Sequence, residues 1–248
     1  MVIRSLFRFS LISPAKTKIN AKHIYRGAME VCRILKDWSM ANHFKNRKKS
    51  KFLRPEEIDE QKTRILIVCE GQKTEPDYFK AMCSDYKISG ANIIIYNTGD
   101  RSSPKTVVDD AVKYNKQHGS FDAVYCVFDK DGHGKSYEEA LNRIKSRKEL
   151  IAIHSVPCFE FWILLHFDRS LGCWNRYADI EPDIKSKMPG YNKAMTGLYD
   201  CIKDYTEIAI QNAKYAEQEA ERAGTDMSTT KIYLLVEKIK EIAGERNR

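Results

Sequence analysis

Apolar and polar residues alternate in blocks along the middle of the chain. Short apolar runs rich in Ile, Val and Tyr predict β-strands at residues 63–70, 91–96, 122–129 and 149–154. Amphipathic stretches between these runs predict helices at residues 75–86, 104–118 and 135–147. Strands that alternate with helices in this way favour parallel pairing, because parallel neighbours need a crossover connection. The pattern therefore predicts an α/β fold with a mostly parallel sheet of about four strands flanked by helices.

After the fourth predicted strand the pattern becomes helical. Pro157 is predicted to be the first residue of an almost wholly apolar helix that reaches Phe167. The stretch 173–190 contains two prolines and a glycine, which predict a loop. Helices are predicted at 191–222 and 228–243. The apolar stripe of the last helix is interpreted as core surface in preference to a partner-facing surface.

These patterns divide the chain into a basic leader at 1–61, an α/β core at 62–170 and a helical region at 171–248 that packs on the core. We expect residues 1–39 to be an upstream extension, with Met40 as the start, because they show no convincing periodicity. No apolar run approaches the roughly 18 residues that a membrane-spanning helix needs. Seven scattered cysteines without a C-x-x-C pair argue against a disulfide framework or a zinc site and suit a reducing cytoplasm.

The positive charge of the chain is concentrated in its leader. Residues 1–60 contain fourteen of the 42 Lys and Arg residues and six of the 34 Asp and Glu residues, so the rest of the chain holds 28 of each. The net charge of +8 therefore belongs to the leader, and the run from Lys45 to Lys51 is its densest part. A solvated or disordered arm and an arm that contacts nucleic-acid phosphates both explain this run.

Carboxylates follow two of the predicted strands at the points where the strands end. Glu70 closes the first apolar run, and Asp129 and Asp131 close the third as a D-x-D pair. Because parallel strands bring their carboxyl ends to one edge of a sheet, these acids are expected to meet there. Their mutual repulsion would be costly without a cation, and carboxylate oxygens are ligands that Mg²⁺ or Mn²⁺ prefers. We predict a shared Mg²⁺ or Mn²⁺ site.

Each neighbouring polar residue has a second interpretation. Glu75 is either a site residue or a carboxylate favoured by the helix macrodipole. His133, Lys73 and Lys130 are candidate substrate contacts, with a solvated side chain as the alternative for each. An Asx-turn leading into Gly132 is the alternative for the D-x-D pair, although a turn needs only one Asp.

Glu160 lies within the apolar helix predicted after the fourth strand. Burying an ionised carboxylate among aromatic residues is expensive unless a cation or a strong donor meets it. A buried salt bridge is one explanation. A role in completing the metal site is the other, because this helix starts at the same sheet edge as the other acids.

Three motifs in the chain carry a resemblance to a known protein family. They are the I-L-I-V-C-E-G-x-x-T-E segment from Ile65 to Glu75, the apolar-D-x-D-x-H segment from Val127 to His133, and the S-x-P-C-F-E-x-W-x-L-L-H-F segment from Ser155 to Phe167. Over roughly residues 62–245 the chain resembles the RloB-like family, whose members have a Toprim-type, Rossmann-like catalytic core.

The resemblance implies that Glu70, Asp129 and Asp131 bind Mg²⁺ and act on phosphodiesters, with Glu75 and Glu160 as candidates for a second metal position. It also implies a separately encoded AAA/ABC-type ATPase partner in a restriction or phage-defence locus. The chain itself lacks the G-x-x-x-x-G-K-[ST] pattern of a nucleotide-binding P-loop.

The function predicted on this basis is a cytoplasmic, metal-dependent nuclease that cleaves DNA or RNA, with Glu70, Asp129, Asp131 and Glu160 as catalytic residues. A homo-oligomer is left open. One alternative is a non-catalytic regulatory or assembly subunit that docks onto an ATPase through its C-terminal helices. A nucleotidyl-transfer enzyme of the primase kind is another alternative, and it would use the same metal site.

Overall fold

The computed structural model describes residues 63–245, apart from 91, 100, 101, 120, 170, 171, 226 and 227. The predicted leader at 1–61 and the alternative start at Met40 lie outside the described residues.

The described part of the chain forms one five-stranded sheet. Its strands are β1 (Ile65–Cys69), β2 (Ile93–Asn97), β3 (Ala123–Asp129), β4 (Leu150–Val156) and β5 (Thr229–Thr230). Their order is β2-β1-β3-β4-β5; the first four are parallel, and β5 pairs antiparallel with β4. The predicted mostly parallel α/β sheet is confirmed, and its strand arrangement is compatible with a Rossmann-like fold. The fifth strand was not predicted, because two residues are too short to show a periodicity.

Helices fill the connections and the C-terminal half of the described chain. They are α1 (Thr74–Asp85), α2 (Pro104–His118), α3 (Gly134–Lys145), α4 (Glu160–Leu165), α5 (Tyr177–Lys187), α6 (Leu198–Ile202), α7 (Thr206–Ala223) and α8 (Ile232–Glu245). The three helices predicted between the strands are confirmed. None of the helices in the described residues has both the length and the apolar character needed to cross a membrane. The six cysteines described are all free thiols.

Alternating side chains of the sheet build two hydrophobic clusters. In β1, Ile65, Ile67 and Cys69 face one cluster, which also contains residues of α1 and of α4 to α8. Leu66 and Val68 face the other cluster, which contains residues of α2 and α3. We call these two sides of the sheet the α1 face and the α2 face. Because successive side chains of a strand point to opposite faces, the strand period decides which helices each side chain meets.

The prediction of a loop at 173–190 was wrong, because α5 occupies most of it. Ile180 and Ile184 lie one helical turn apart and are fully buried, so packing favours the helix. Pro182 lies inside α5, where it removes a backbone donor. The N-terminus is held from outside the helix, since the Tyr177 N–H donates to Asp131 Oδ2 at 3.2 Å. Tertiary contacts therefore stabilise a helix that the proline signal argued against.

Three other predicted helices have different bounds in the structure. The helix predicted at 191–222 is interrupted: residues 188–197 form neither helix nor strand, and α6 and a 3₁₀ turn precede α7. Gly197 has a φ of +76°, a left-handed conformation that glycine adopts without a Cβ penalty. The last helix was predicted to start at 228 and starts after β5. Pro157 follows a cis peptide bond and lies before α4.

A buried hydrogen bond ties α4 to α1. The Trp162 indole N–H donates to the Tyr78 hydroxyl at 3.1 Å, and both side chains are almost fully buried. At the C-terminal end of α4, His166 donates through Nδ1 to the Trp162 carbonyl at 2.9 Å, and burial lowers the pKa of His166 to about 4. This packing holds the first residue of α4, Glu160, beside the first turn of α1, which contains Glu75.

Candidate functional site

The predicted acids line one cavity at the carboxyl end of β1 and β3. The cavity has a volume of about 380 Å³, and it is lined by residues 70–75, Asp129, Asp131, His133, Glu160, Lys193 and Ala194. The structure thus brings together all five acidic residues that the sequence suggested as metal ligands. They come from four places in the fold: the end of β1, the start of α1, the end of β3 with its following turn, and the start of α4.

Strand alternation explains which predicted residues reach the cavity. Asp129 has the same parity as Tyr125 and Val127, whose side chains pack on the α1 face. Lys130 follows it and takes the opposite direction, so its ammonium lies 5.6 Å from the centre of the Tyr137 ring of α3. Lys130 therefore does not line the cavity, and its predicted role as a substrate contact has no support from its position. Lys73 and His133, the other two candidate substrate contacts, do line the cavity.

Glu70 follows β1, and its side chain is hydrogen-bonded to the end of β3. Its Oε2 accepts a hydrogen bond from the Asp129 backbone N–H at 3.1 Å, and its Oε1 lies 3.5 Å from His133 Nε2. Burial raises the pKa of Glu70, and the Asp129 N–H and His133 partly offset that effect. The Glu70 carboxylate therefore lines the cavity and contacts both the backbone N–H of Asp129 and the imidazole of His133.

Glu75 is buried in the first turn of α1 and folds back against Gly71. A Cβ atom at position 71 would collide with the Glu75 carboxylate, so the glycine permits this approach. Burial raises the pKa of Glu75 to about 7; its own backbone N–H lowers it, and the nearby Glu160 carboxylate raises it further. Folding therefore favours the protonated form of this carboxyl group.

The two aspartates of the D-x-D pair have different surroundings. Burial raises the pKa of Asp129 well above its ordinary value, and Glu75, Glu160 and Glu70 raise it further by repulsion. Asp131 lies in the turn that follows, where its backbone N–H donates to the Pro157 carbonyl at 3.0 Å and its carboxylate accepts the Tyr177 N–H. Asp131 thus anchors α5 as well as lining the cavity.

Both interpretations of Glu160 correspond to contacts in the structure. The residue is 2% exposed, lines the cavity, and lies 3.8 Å through Oε1 from Lys193 Nζ. The same oxygen accepts a hydrogen bond from the Tyr191 hydroxyl at 3.3 Å. Burial raises the pKa of the neighbouring Cys158 thiol, and Glu160 raises it further, so Cys158 is not an activated nucleophile.

Lys193 and Tyr191 were not identified from the sequence. Both lie in residues 188–197, which the sequence assigned largely to a long helix. Two glycines flank this stretch at 190 and 197, and both have positive φ angles. Those glycines were the available signal that a helix would not run through the segment.

The side chains of the cavity are of the kind that bind a hard divalent cation, but they are not arranged in a metal-binding geometry. Glu70, Glu75 and Asp129 have raised pKa values, and Mg²⁺ or Mn²⁺ would stabilise the ionised form of such carboxylates. Among the described residues, however, no group of three or more His, Cys, Asp or Glu side chains is arranged to hold a metal ion. Asp131 and Glu160 instead contact protein donors. A metal ion held by three or more of these side chains would therefore need them in a different arrangement.

Comparison with known proteins identifies the family. The family model described as RloB-like protein matches residues 65–239, which include every acid of the cavity. None of the curated proteins and none of the solved structures compared with the chain matched it. The match covers more than half of the chain, so this protein belongs to the RloB-like family.

Proposed function

We propose that this protein is a divalent-metal-dependent nuclease with a Toprim-type core. One observation carries the proposal: five carboxylates from separate elements line a single cavity at the carboxyl edge of the parallel sheet, and the pKa of Glu75 is raised to about 7. Folding places like charges together here at an energetic cost, which a bound cation would offset. Strongly perturbed carboxyl groups in a cleft are also typical of functional sites.

In this proposal Asp129, Asp131 and Glu70 are the principal ligands of Mg²⁺ or Mn²⁺, and Glu75 and Glu160 extend the site toward a second ion. A bound divalent cation neutralises charge at a phosphodiester and lowers the pKa of water. The chain's own residues hold and orient the site: the Asp129 N–H positions Glu70, and Gly71 gives Glu75 its room. Lys73 and His133 line the same cavity, and in this proposal they contact the phosphate.

The biological setting is part of the proposal and rests on the family. The resemblance to RloB-like proteins implies a partner ATPase of the AAA/ABC type, encoded beside this protein, and a role in cytoplasmic defence against phage or foreign DNA. Nucleotidyl transfer and a non-catalytic role beside the ATPase are the competing outcomes. Both predict that the protein does not cleave nucleic acid in the assay described next.

The test is cleavage of tRNA, single-stranded DNA and duplex DNA in Mg²⁺ or Mn²⁺, with and without the neighbouring ATPase. We expect Asp129→Ala to lower the cleavage rate by about 100-fold or more, because a lost ligand removes several kcal/mol of charge stabilisation. Asp109→Asn is the matched control, since Asp109 lies in α2 in a surface ion pair with Arg143. Full activity in a folded Asp129→Ala, Asp131→Ala protein would refute the proposal.

A further inference from the structure

The chain places a cation of its own in the acidic cavity. Residues 188–197 connect α5 to α6 without regular structure and bring Lys193 to the cavity wall. Lys193 Nζ lies 3.8 Å from Glu160 Oε1 and 4.4 Å from the centre of the Tyr177 ring. The Glu160 carboxylate is buried, while the lysine side chain is 58% exposed. The pair therefore joins a fixed buried anion to a cation at the protein surface.

The contacts around Glu160 show how this arrangement is held. Tyr191, two residues before Lys193, donates its hydroxyl to the same Glu160 oxygen. Tyr177, whose ring lies under the ammonium, is the residue whose N–H Asp131 accepts. Glu160 and Asp131, two acids of the proposed metal site, thus accept hydrogen bonds from the residues around Lys193. A ligand that binds these carboxylates must therefore compete with the hydrogen bonds and the ion pair that they already make.

We infer that Lys193 is the built-in counter-ion of the acidic cavity and that a divalent cation displaces it from Glu160 on binding. This inference rests on the proposed metal-dependent function. A divalent ion in direct contact with carboxylate oxygens attracts them more strongly than a half-exposed ammonium at 3.8 Å, and the two cations repel each other. Lys193 therefore stabilises the metal-free protein and opposes metal entry, and metal binding releases the Lys193 side chain from Glu160.

The first experiment is calorimetric titration of the full chain with Mn²⁺ in the absence of nucleic acid. Removing a competing ion pair of this exposure should tighten Mn²⁺ binding by about fivefold in Lys193→Gln. Lys193→Arg, which keeps the charge, should return the affinity toward the wild-type value. Lys187→Gln is the matched control, because Lys187 ends α5 and pairs with Asp168 outside the cavity.

Each outcome of the titration decides one question. Tighter binding by Lys193→Gln alone supports the inference, and equal or weaker binding by that variant overturns it while the metal site stands. A wild-type protein that binds no Mn²⁺ overturns both the counter-ion exchange and the proposed metal dependence.

Limited trypsin digestion tests the displacement independently of affinity. Cleavage after Lys193, followed by mass spectrometry, should become several-fold faster when Mn²⁺ is added to the wild-type protein, because the Lys193 side chain is then free of Glu160 and open to the protease. The rate should not change on adding Mn²⁺ to Glu160→Gln, in which the ion pair is already broken. An unchanged cleavage rate in wild-type protein that binds Mn²⁺ in the titration would overturn the displacement.

Discussion

Glu75 shows at the scale of one residue how the cavity acts on its own acids. The carboxyl group is buried against Gly71 and faces Glu160 and Glu70, so the folded chain binds its proton more tightly than an unfolded chain would. The direction in which stability changes with pH follows from the difference in pKa between the folded and unfolded chain. A raised folded-state pKa contributes stability that is present below about pH 4.5 and is lost as the pH rises through about 7.

The metal-free Glu75→Gln protein should therefore be more stable than wild type at pH 8. The gain should be on the order of 3 kcal/mol, because the pKa of Glu75 rises from 4.5 to about 7 and one pKa unit corresponds to about 1.4 kcal/mol. At pH 4.5 the advantage should disappear. Urea unfolding in EDTA at the two pH values measures both quantities. Asp77→Asn, on the same helix but exposed, is the matched control, and an equal effect of Glu75→Gln at both pH values would contradict the assignment.

Helix α5 shows at the scale of an element how a distant residue decides local structure. Its sequence contains Pro182, and its first N–H is satisfied by Asp131, which lies 46 residues earlier. Ile180 and Ile184 bury one face of the helix. Helix ends need partners for their free N–H groups, and here the D-x-D turn of the cavity provides one.

Two substitutions at Asp131 should separate its anchoring role from its charge. Asp131→Ala removes the acceptor of the Tyr177 N–H and should lower the free energy of unfolding by about 1 kcal/mol, as loss of a cap does. Asp131→Asn keeps an acceptor oxygen and should retain most of that stability while weakening Mn²⁺ binding. Chemical unfolding and calorimetric titration of both variants provide the measurements. If Asn and Ala destabilise the protein equally, Asp131 does not anchor α5 through this hydrogen bond.

At the scale of the whole molecule, charge and chemistry occupy different parts of the chain. The carboxylates of the cavity lie in the part that carries equal numbers of acidic and basic residues, whereas the net charge of +8 lies in residues 1–60. Residues 61–248 have no net charge and contain an acidic cavity, so they attract a polyanion only weakly over long distances. If the protein binds nucleic acid, the leader is the part of the chain that provides that attraction.

Removing residues 1–51 should weaken nucleic-acid binding and flatten its dependence on salt. Each lost phosphate contact should reduce the slope of log affinity against log salt by about 0.7 to 0.9. Fluorescence anisotropy across a salt series measures the slope for the full chain and the truncated chain. An unchanged affinity and slope would show that the basic run from Lys45 to Lys51 makes no phosphate contact.

The sequence by itself determined the α/β order, the parallel sheet and the meeting of the acids at one edge. These features follow from local periodicity and from a rule of topology, since parallel strands end on the same side of a sheet. Glu70 and Asp129 could therefore be placed together without coordinates. Glu160 was a candidate because its helix follows the fourth strand, and Glu75 because it follows Glu70 at the start of a helix; both also line the cavity.

Only the packing of the whole chain decided which cation meets Glu160 and whether residues 177–187 form a helix. Each of these depends on contacts between segments far apart in the chain: Glu160 and Tyr191 are 31 residues apart. Such contacts leave no periodic trace, because a lysine that pairs with a buried acid and a lysine in solvent look the same in sequence. Strand β5 could not be predicted for a related reason: its two residues form a strand because they pair with β4, and they show no sequence pattern of their own.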